Sequence, residues 1–432
     1  MKKFWLFFLT LGLLILFIPG EASAATPQVD VLRVEGTINP VLAGYIDRGI
    51  RLAEEDGATA CIIELDTPGG LDSAMRDIVQ RILEADVPIV VYVPPGSRAA
   101  SAGAFITLAS HVAAMSPGTE IGAAHPVALG EEGIDETMEE KVVNDAVAYI
   151  RSIAELRDRN ADWAEAAVRE SKSSPASEAL DLGVIDIVAD NLANLLIQLD
   201  GWQVTLLSGE EVTIQTEGAA IRYNDMGAME RFLFTIADPN IAYILLSLGM
   251  LGIMLELFNP GTIFPGVVGA ICLFLSFYSL GMLPINYAGV LLIVLAFGLF
   301  VAEVFITSHG LLALGGIASL TVGSLILMGS PFFQINPGVI AGVAIVATLF
   351  VVFVIGAIVR THRMRQQTGR EAMVGMVAVA RTTLDPMGTV FVHGERWEAL
   401  LDEGKVEPGE EVVITRVEGL RLRVTKKNKG GE

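Results

Sequence analysis

Hydrophobic and polar positions divide the chain into three regions of different rhythm. Between residues 26 and 240, short apolar runs such as "VDVLRVEGTI", "TACIIELDTPGG", "VPIVVYV" and "HVAAMSPGTEIGAA" read as strands. Amphipathic stretches between them, "VLAGYIDRGIRLAEED", "LDSAMRDIVQRILEA" and a run starting at Ser101, read as helices. That alternation predicts an α/β domain with a parallel sheet, whose site gathers in the loops that follow the strands. From about residue 239 to 359 the polar positions nearly vanish. Five apolar runs, 240–255, 262–283, 285–302, 311–328 and 337–359, are each about long enough to cross a bilayer as a helix. Beyond a basic linker, residues 371–427 return to short alternating strands with regular glycine and proline punctuation, the pattern of a small barrel.

The N-terminus adds a fourth element. Lys2 and Lys3, the apolar stretch "FWLFFLTLGLLILFI" and the small residues Ala22, Ser23 and Ala24 make a secretory signal of residues 1–24, with an uncleaved anchor helix as the alternative. The expected organisation is then an exported domain over 25–235, a membrane region over 236–360 and a barrel over 371–427. Arg360, His362, Arg363 and Arg365 follow the last apolar run directly, which places that end in the cytoplasm. Five crossings from an exported domain end on the same side. Within the membrane region, "LELFNPGTIFPGVVGAICLFLS" and "AEVFITSHGLLALGGIASLTVG" repeat one pattern and bring Glu256 and Glu303 to like positions. A carboxylate in a membrane invites a functional reading. Polar loops follow both acids at once, however, so capping of a helix end is the simpler expectation.

Composition narrows the partners. The chain has 432 residues, 52% hydrophobic, and carries a net charge of −21 whose acidic excess lies in the first domain. Such a field disfavours acidic partners and anionic surfaces. In the barrel, acids interleave with bases and aromatics are few, Phe391 and Trp397 among them, so an interaction module is expected there and no nucleic-acid binding. Cys61 and Cys272 have neither framework nor ligand spacing and read as buried small hydrophobes, so neither a disulfide nor a metal or other cofactor is expected.

Two loops carry the chemistry. In "DTPGG", Asp66 to Gly70, the glycines let a backbone N–H approach a ligand closely. In "AASAG", Ser101 falls at a helix start among residues with almost no side chain, where a substrate carbonyl could reach both Ser101 and the N–H of Ala102. The competing reading is that the small residues allow tight helix packing and that Ser101 only caps the helix. The motif alone leaves both open.

"LDTPGGLDSA", "PPGSRAASAGAFITLASH", "MSPGTEIGAAHPV" and "SEALDLGVIDIVAD" together resemble the ClpP/crotonase superfamily, specifically the long-form NfeD family of membrane-bound serine peptidases. The resemblance spans nearly the whole chain. It implies a ClpP/crotonase-like α/β domain, a transmembrane helical bundle and an all-β OB-fold barrel. It further implies Ser101 as nucleophile, Gly70 and Ala102 as oxyanion hole and Lys141 as general base. A stomatin- or flotillin-like membrane partner is implied with them; apolar peptide substrates, contact with lipid and a homo-oligomer are also expected.

A lysine with an ordinary pKa near 10.4 must be buried to act as a base at neutral pH. Val142 and Val143 favour burial of Lys141, whereas Asp145 one turn on would hold its charge in a surface ion pair. His125 is the alternative base and needs no large shift. Where a ClpP-like chain would carry the acid that orients such a histidine, Ser171 stands here, with Glu170 one place off. Lys141 is therefore preferred, with His125 a neighbour of the site and His111 a structural residue. The leading function is a serine endopeptidase, active or latent, that cuts apolar segments. A non-proteolytic membrane scaffold is the runner-up, and acyl-CoA chemistry is disfavoured by export and by the lack of a basic patch. An extended substrate is expected to pair with a sheet edge near residues 94–98, and the acidic "GEEGIDETMEE" to form a lid.

Overall fold

The computed structural model describes residues 27–127, 136–258, 261–306, 308–330, 333–363 and 370–427. The expected signal segment and the first half of the expected lid lie outside the described residues. In chain order the first domain runs β1 (Gln28–Glu35), α1 (Pro40–Glu55), β2 (Ala60–Asp66), α2 (Asp72–Leu83), β3 (Ile89–Val93), β4 (Arg98–Ala100), α3 (Ala102–Ala109), β5 (Val112–Met115) and β6 (Glu120–Gly122). It continues with α4 (Glu136–Leu156), α5 (Ala161–Arg169), β7 (Ser173–Pro175), α6 (Ala176–Asp181), β8 (Ile187–Val188), α7 (Leu192–Leu199), β9 (Gln203–Thr205), β10 (Glu211–Thr213), β11 (Ala220–Tyr223) and α8 (Ala228–Ile236).

The main sheet is parallel throughout, in the order β11-β1-β2-β3-β5-β8. Because successive strand residues point to opposite faces, its strands must be apolar on both sides. Leu32, Ile63, Val91 and Ala113 pack under α1 to α5, while Val31, Ile62, Val90 and Ala114 pack against α7 and the β9–β10 hairpin. This is the expected ClpP-like α/β fold.

A second, three-stranded sheet, β4-β6-β7, stands beside the first. "HVAAMSPGTEIGAA" therefore forms two strands in different sheets rather than one, divided at a turn in which Thr119 N–H donates to Ser116 O. Here the structure corrects the expected substrate edge. One side of β4 pairs with β6, and the other is closed by Thr67, whose N–H donates to Arg98 O at 2.9 Å and whose carbonyl accepts from Ala100 N–H at 3.1 Å.

The five apolar runs fold as α9 (Pro239–Phe258), α10 (Ile263–Leu280), α11 (Tyr287–Phe305), α12 (Leu311–Ile326) and α13 (Pro337–Arg363). Four are long and apolar enough to cross a membrane, and α12, at 16 residues, is shorter. The internal repeat corresponds to two helical hairpins, α9–α10 and α11–α12. Each closes on glycine: a Cβ on Gly269 would meet Gly249 O at 2.9 Å, and one on Gly323 would meet Gly289 O at 2.9 Å. Without a hydrophobic drive between helices in lipid, such close backbone approach supplies the packing.

Glu303 has the capping role expected of it. Its carboxylate accepts from Gly310 N–H at 2.8 Å, from Ala313 N–H at 3.1 Å and from the Ser308 hydroxyl, covering the open N-terminus of α12. The turns α10–α11 and α12–α13 are joined by Asn286 N–H to Leu327 O at 2.8 Å and Gly329 N–H to Pro284 O at 3.1 Å. Cys61 is buried as expected, and Cys272 only partly so.

The chain divides into two compact units between Thr348 and Leu349, inside α13. In the second, β12 (Val377–Ala380), β13 (Met387–Val392), β14 (Glu395–Leu401), β15 (Glu411–Glu418) and β16 (Arg421–Lys426) close a barrel in the order β12-β13-β14-β16-β15. Val390, Leu401, Val412, Leu422 and Val424 fill it. A closed five-stranded barrel matches the expected OB-fold.

Candidate active site

Ser101 occupies the single residue between β4 and α3, at φ 54° and ψ −114°. A non-glycine residue at positive φ is strained, and a sharp strand-to-helix turn of this kind lifts a side chain clear of the backbone. The turn is held by Ser101 N–H donating to Gly122 O at 2.8 Å. The Ser101 hydroxyl makes no capping bond to α3, so helix capping does not account for the residue. Packing does account for its neighbour: a Cβ on Gly103 would meet Thr67 Cγ2 at 2.7 Å, so α3 presses on the end of β2.

Two backbone donors flank the hydroxyl. Ala102 is the first residue of α3, and its N–H has no acceptor within the helix. At the "TPGG" loop, Ile38 bridges Gly70 in parallel through Ile38 N–H to Gly69 O and Leu71 N–H to Ile38 O, both 2.9 Å. That pattern leaves the N–H of Gly70 out of the ladder. Gly70 is required for the approach, since a Cβ there would lie 2.1 Å from Ile38 O.

Gly70, Ser101, Ala102 and Lys141 line one cavity of about 510 Å³. Its remaining wall is largely apolar, with Leu71, Met75, Phe105, Val127 and Val142. Ser330, from the turn between α12 and α13, lines it as well. Val127 and Val142 are exposed, at 47% and 45%. Apolar residues open to solvent around a concave site suit an apolar ligand.

Lys141, on α4, is exposed, contrary to the burial expected of it. The ion pair with Asp145 is also absent. Asp145 Oδ2 instead accepts from Arg76 Nη2 at 2.6 Å, while Arg76 Nε donates to Asp72 Oδ2 at 2.8 Å and the guanidinium lies 4.4 Å from the Tyr149 ring centre. Burial works against the charge on Arg76, but its bonds to Asp72 and Asp145 outweigh this and raise its pKa above the ordinary value. Among the described residues Lys141 has no ion pair.

His125 sits outside the cavity lining, although Ala124 and Pro126 on either side contribute to it. Its Nδ1 lies 2.8 Å from Val168 O, which fixes the proton there and leaves Nε2 as the basic nitrogen. Glu170 and Ser171 are both exposed. His111 is structural: its Nδ1 accepts from Ile89 N–H at 3.1 Å. Burial, then Arg157 and Arg159, push its pKa down to about 3.

Sequence reasoning missed Asp72, Arg76, Phe105 and Ser330 on the cavity wall. The first two were findable in principle, since "LDSAMRD" follows the glycine loop with an acid and a base four residues apart.

Three family matches cover most of the chain: the NfeD1b N-terminal domain over residues 28–194, the NfeD integral membrane domain over 240–357, and the NfeD-like C-terminal, partner-binding domain over 370–426. Membrane-bound protease PH1510 of Pyrococcus horikoshii is 36% identical over 436 residues, covering 98% of this chain and 99% of that protein. The chain belongs to the NfeD family. Within that family it is a multi-pass membrane protein and a protease. Two solved structures of the 1510-N membrane-bound stomatin-specific protease are similar. One is a serine-to-alanine variant, 39% identical with TM-score 0.44, covering 47% of this chain and 100% of that one. The other is a lysine-to-alanine variant with a substrate peptide, 37% identical with TM-score 0.46, covering 49% and 98%.

Proposed function

We propose that this NfeD protein is an endopeptidase that cuts apolar segments of membrane-associated proteins through a Ser101–Lys141 dyad. The observation that carries the reading is the convergence of Ser101, Lys141 and the N–H groups of Gly70 and Ala102 on one apolar-walled cavity. Lys141 takes the Ser101 proton as Oγ attacks the scissile carbonyl. The oxyanion is held by Gly70 and Ala102, and the proton passes to the leaving amine. Water then hydrolyses the acyl-enzyme, with Lys141 again as base. An apolar segment filling the cavity covers Lys141, and the water this expels favours the neutral amine that attack requires. The lysine-variant complex of a relative with a substrate peptide supports the assignment.

The natural partner follows from the same relatives. A stomatin-like membrane protein is the proposed substrate and docking partner, held by the barrel domain that matches the partner-binding family. The protease domain, residues 25–235, lies outside the cytoplasm and the barrel, 371–427, within it. His125 as base is the second reading, and its place next to two cavity residues keeps it in the test.

A fluorophosphonate probe on the full-length protein should label Ser101. Ser101→Ala and Lys141→Ala should each abolish cleavage of apolar peptides while His125→Ala retains part of it, since groups acting as a unit are not additive. A dead His125→Ala with an active Lys141→Ala would replace the dyad by Ser–His. No cleavage with undiminished partner binding would establish the scaffold instead.

A further inference from the structure

Lys141 meets two opposing influences on its own wall of the cavity. Asp145 lies one turn further along α4, where a free carboxylate would hold the ammonium charged. From α2, Arg76 takes that carboxylate at 2.6 Å and anchors itself on Asp72 at 2.8 Å and on the face of Tyr149. All four of Asp72, Arg76, Lys141 and Asp145 line the cavity. The Arg76–Asp145 bond spans 69 residues, so it exists only once α2 and α4 have packed.

We infer that Arg76 is a positioning residue of this protease: it withdraws Asp145 from Lys141 and sets a second positive charge near the amine, so that Lys141 can serve as a base. The inference rests on the dyad reading. Arg76 donates to two carboxylates and stacks on an aromatic ring, a combination the planar guanidinium allows and an ammonium does not.

The remaining charges are few. On α4 itself, Glu139 and Glu140 precede Lys141 and are exposed. From α5, Arg169 donates to Asn144 at 2.9 Å and to Glu165 at 2.7 Å, and so is engaged away from Lys141. Helix α3 contributes to the cavity Ser101's neighbours Ala102 and Phe105 and no charged group. Glu131, Glu132 and Asp135 precede α4 outside the described residues. The charges that line the cavity with Lys141 are thus Asp72, Arg76 and Asp145.

The test is the pH dependence of peptide cleavage by the full-length protein in detergent. In Arg76→Gln, Asp145 is released to pair with Lys141, and the rising limb of activity should move about half a unit to higher pH, a roughly threefold loss near neutrality that disappears in alkali. Adding Asp145→Asn to Arg76→Gln should move the limb back towards the parent. Arg76→Lys, which keeps the charge but cannot bridge both carboxylates, should shift it less and serves if the glutamine variant fails to fold. An unmoved limb, or an equal loss at every pH without recovery in the double variant, would overturn the inference. Failure of the dyad looks different: Lys141→Ala would then retain the parent's activity, and the role of Arg76 would fall with it.

Discussion

A serine at φ 54° carries a conformational cost that a glycine would not, and the cost sits in the cavity that Gly70 and Lys141 also line. Ser101→Gly should therefore be inactive yet more stable than Ser101→Ala, by about 1 kcal/mol in chemical unfolding of the two variants. Equal stabilities would mean that the turn is not strained. Gly70 works in the opposite sense, because any side chain there collides with Ile38 O. Gly70→Ala should lower activity by at least about a hundredfold, the scale of one lost oxyanion donor, with labelling of Ser101 falling in parallel. His111 links the same fold to acid. Its pKa is about 3 folded against 6.5 ordinarily, so between those values the unfolded chain binds more protons. The contribution of His111 to stability is complete above about pH 6.5 and falls as pH drops towards 3, by roughly 3 kcal/mol over two or so units. His111→Gln keeps an acceptor for Ile89 N–H and should flatten that fall in denaturation curves taken from pH 7 to pH 4. That Ser101, Gly70 and Ala102 meet at one cavity was legible in the sequence because each is a small residue beside a strand end. The link from Arg76 to Asp145 was not, since only tertiary packing brings the two together. The exposure of Lys141 was equally hidden, because flanking valines say nothing about which face of a helix is covered.

At the level of elements, periodicity foretold the four central strands of the main sheet, the apolar helices and the barrel, but not the edge strands β8 and β11. It failed at "HVAAMSPGTEIGAA", where a turn between two apolar stretches switches sheets without any break in hydrophobicity, and at β4, whose closed edges depend on a long-range contact with Thr67. The two membrane hairpins look alike in sequence but differ in their acids. Glu303 satisfies backbone donors of α12, whereas one oxygen of Glu256 is buried without a hydrogen-bond partner among the described residues. Glu303→Ala should therefore cost about 1–2 kcal/mol, seen as a lower thermal midpoint in detergent. Glu256→Gln should cost clearly less. Reversal of that order would remove the capping role assigned to Glu303.

For the whole molecule, orientation is the open quantity with a direct assay. A cysteine introduced at Glu140 should react with an impermeant reagent added to sealed cells, and one introduced at Glu407, in the turn of the barrel, should not; equal reaction of both would overturn the five-crossing arrangement. The wall of the Ser101 cavity also includes Ser330, from the turn between α12 and α13. A soluble fragment ending near residue 235 would keep the proposed nucleophile, base and oxyanion donors while losing Ser330 from the cavity wall. Kinetic constants measured on such a fragment would describe a more permissive catalyst, one that accepts bulkier or differently shaped peptides than the membrane-embedded enzyme does. Selectivity, on this view, is partly a property of the bilayer-anchored half of the chain, and inhibitors chosen against the excised domain alone would be optimised for an opening that the intact protein does not present.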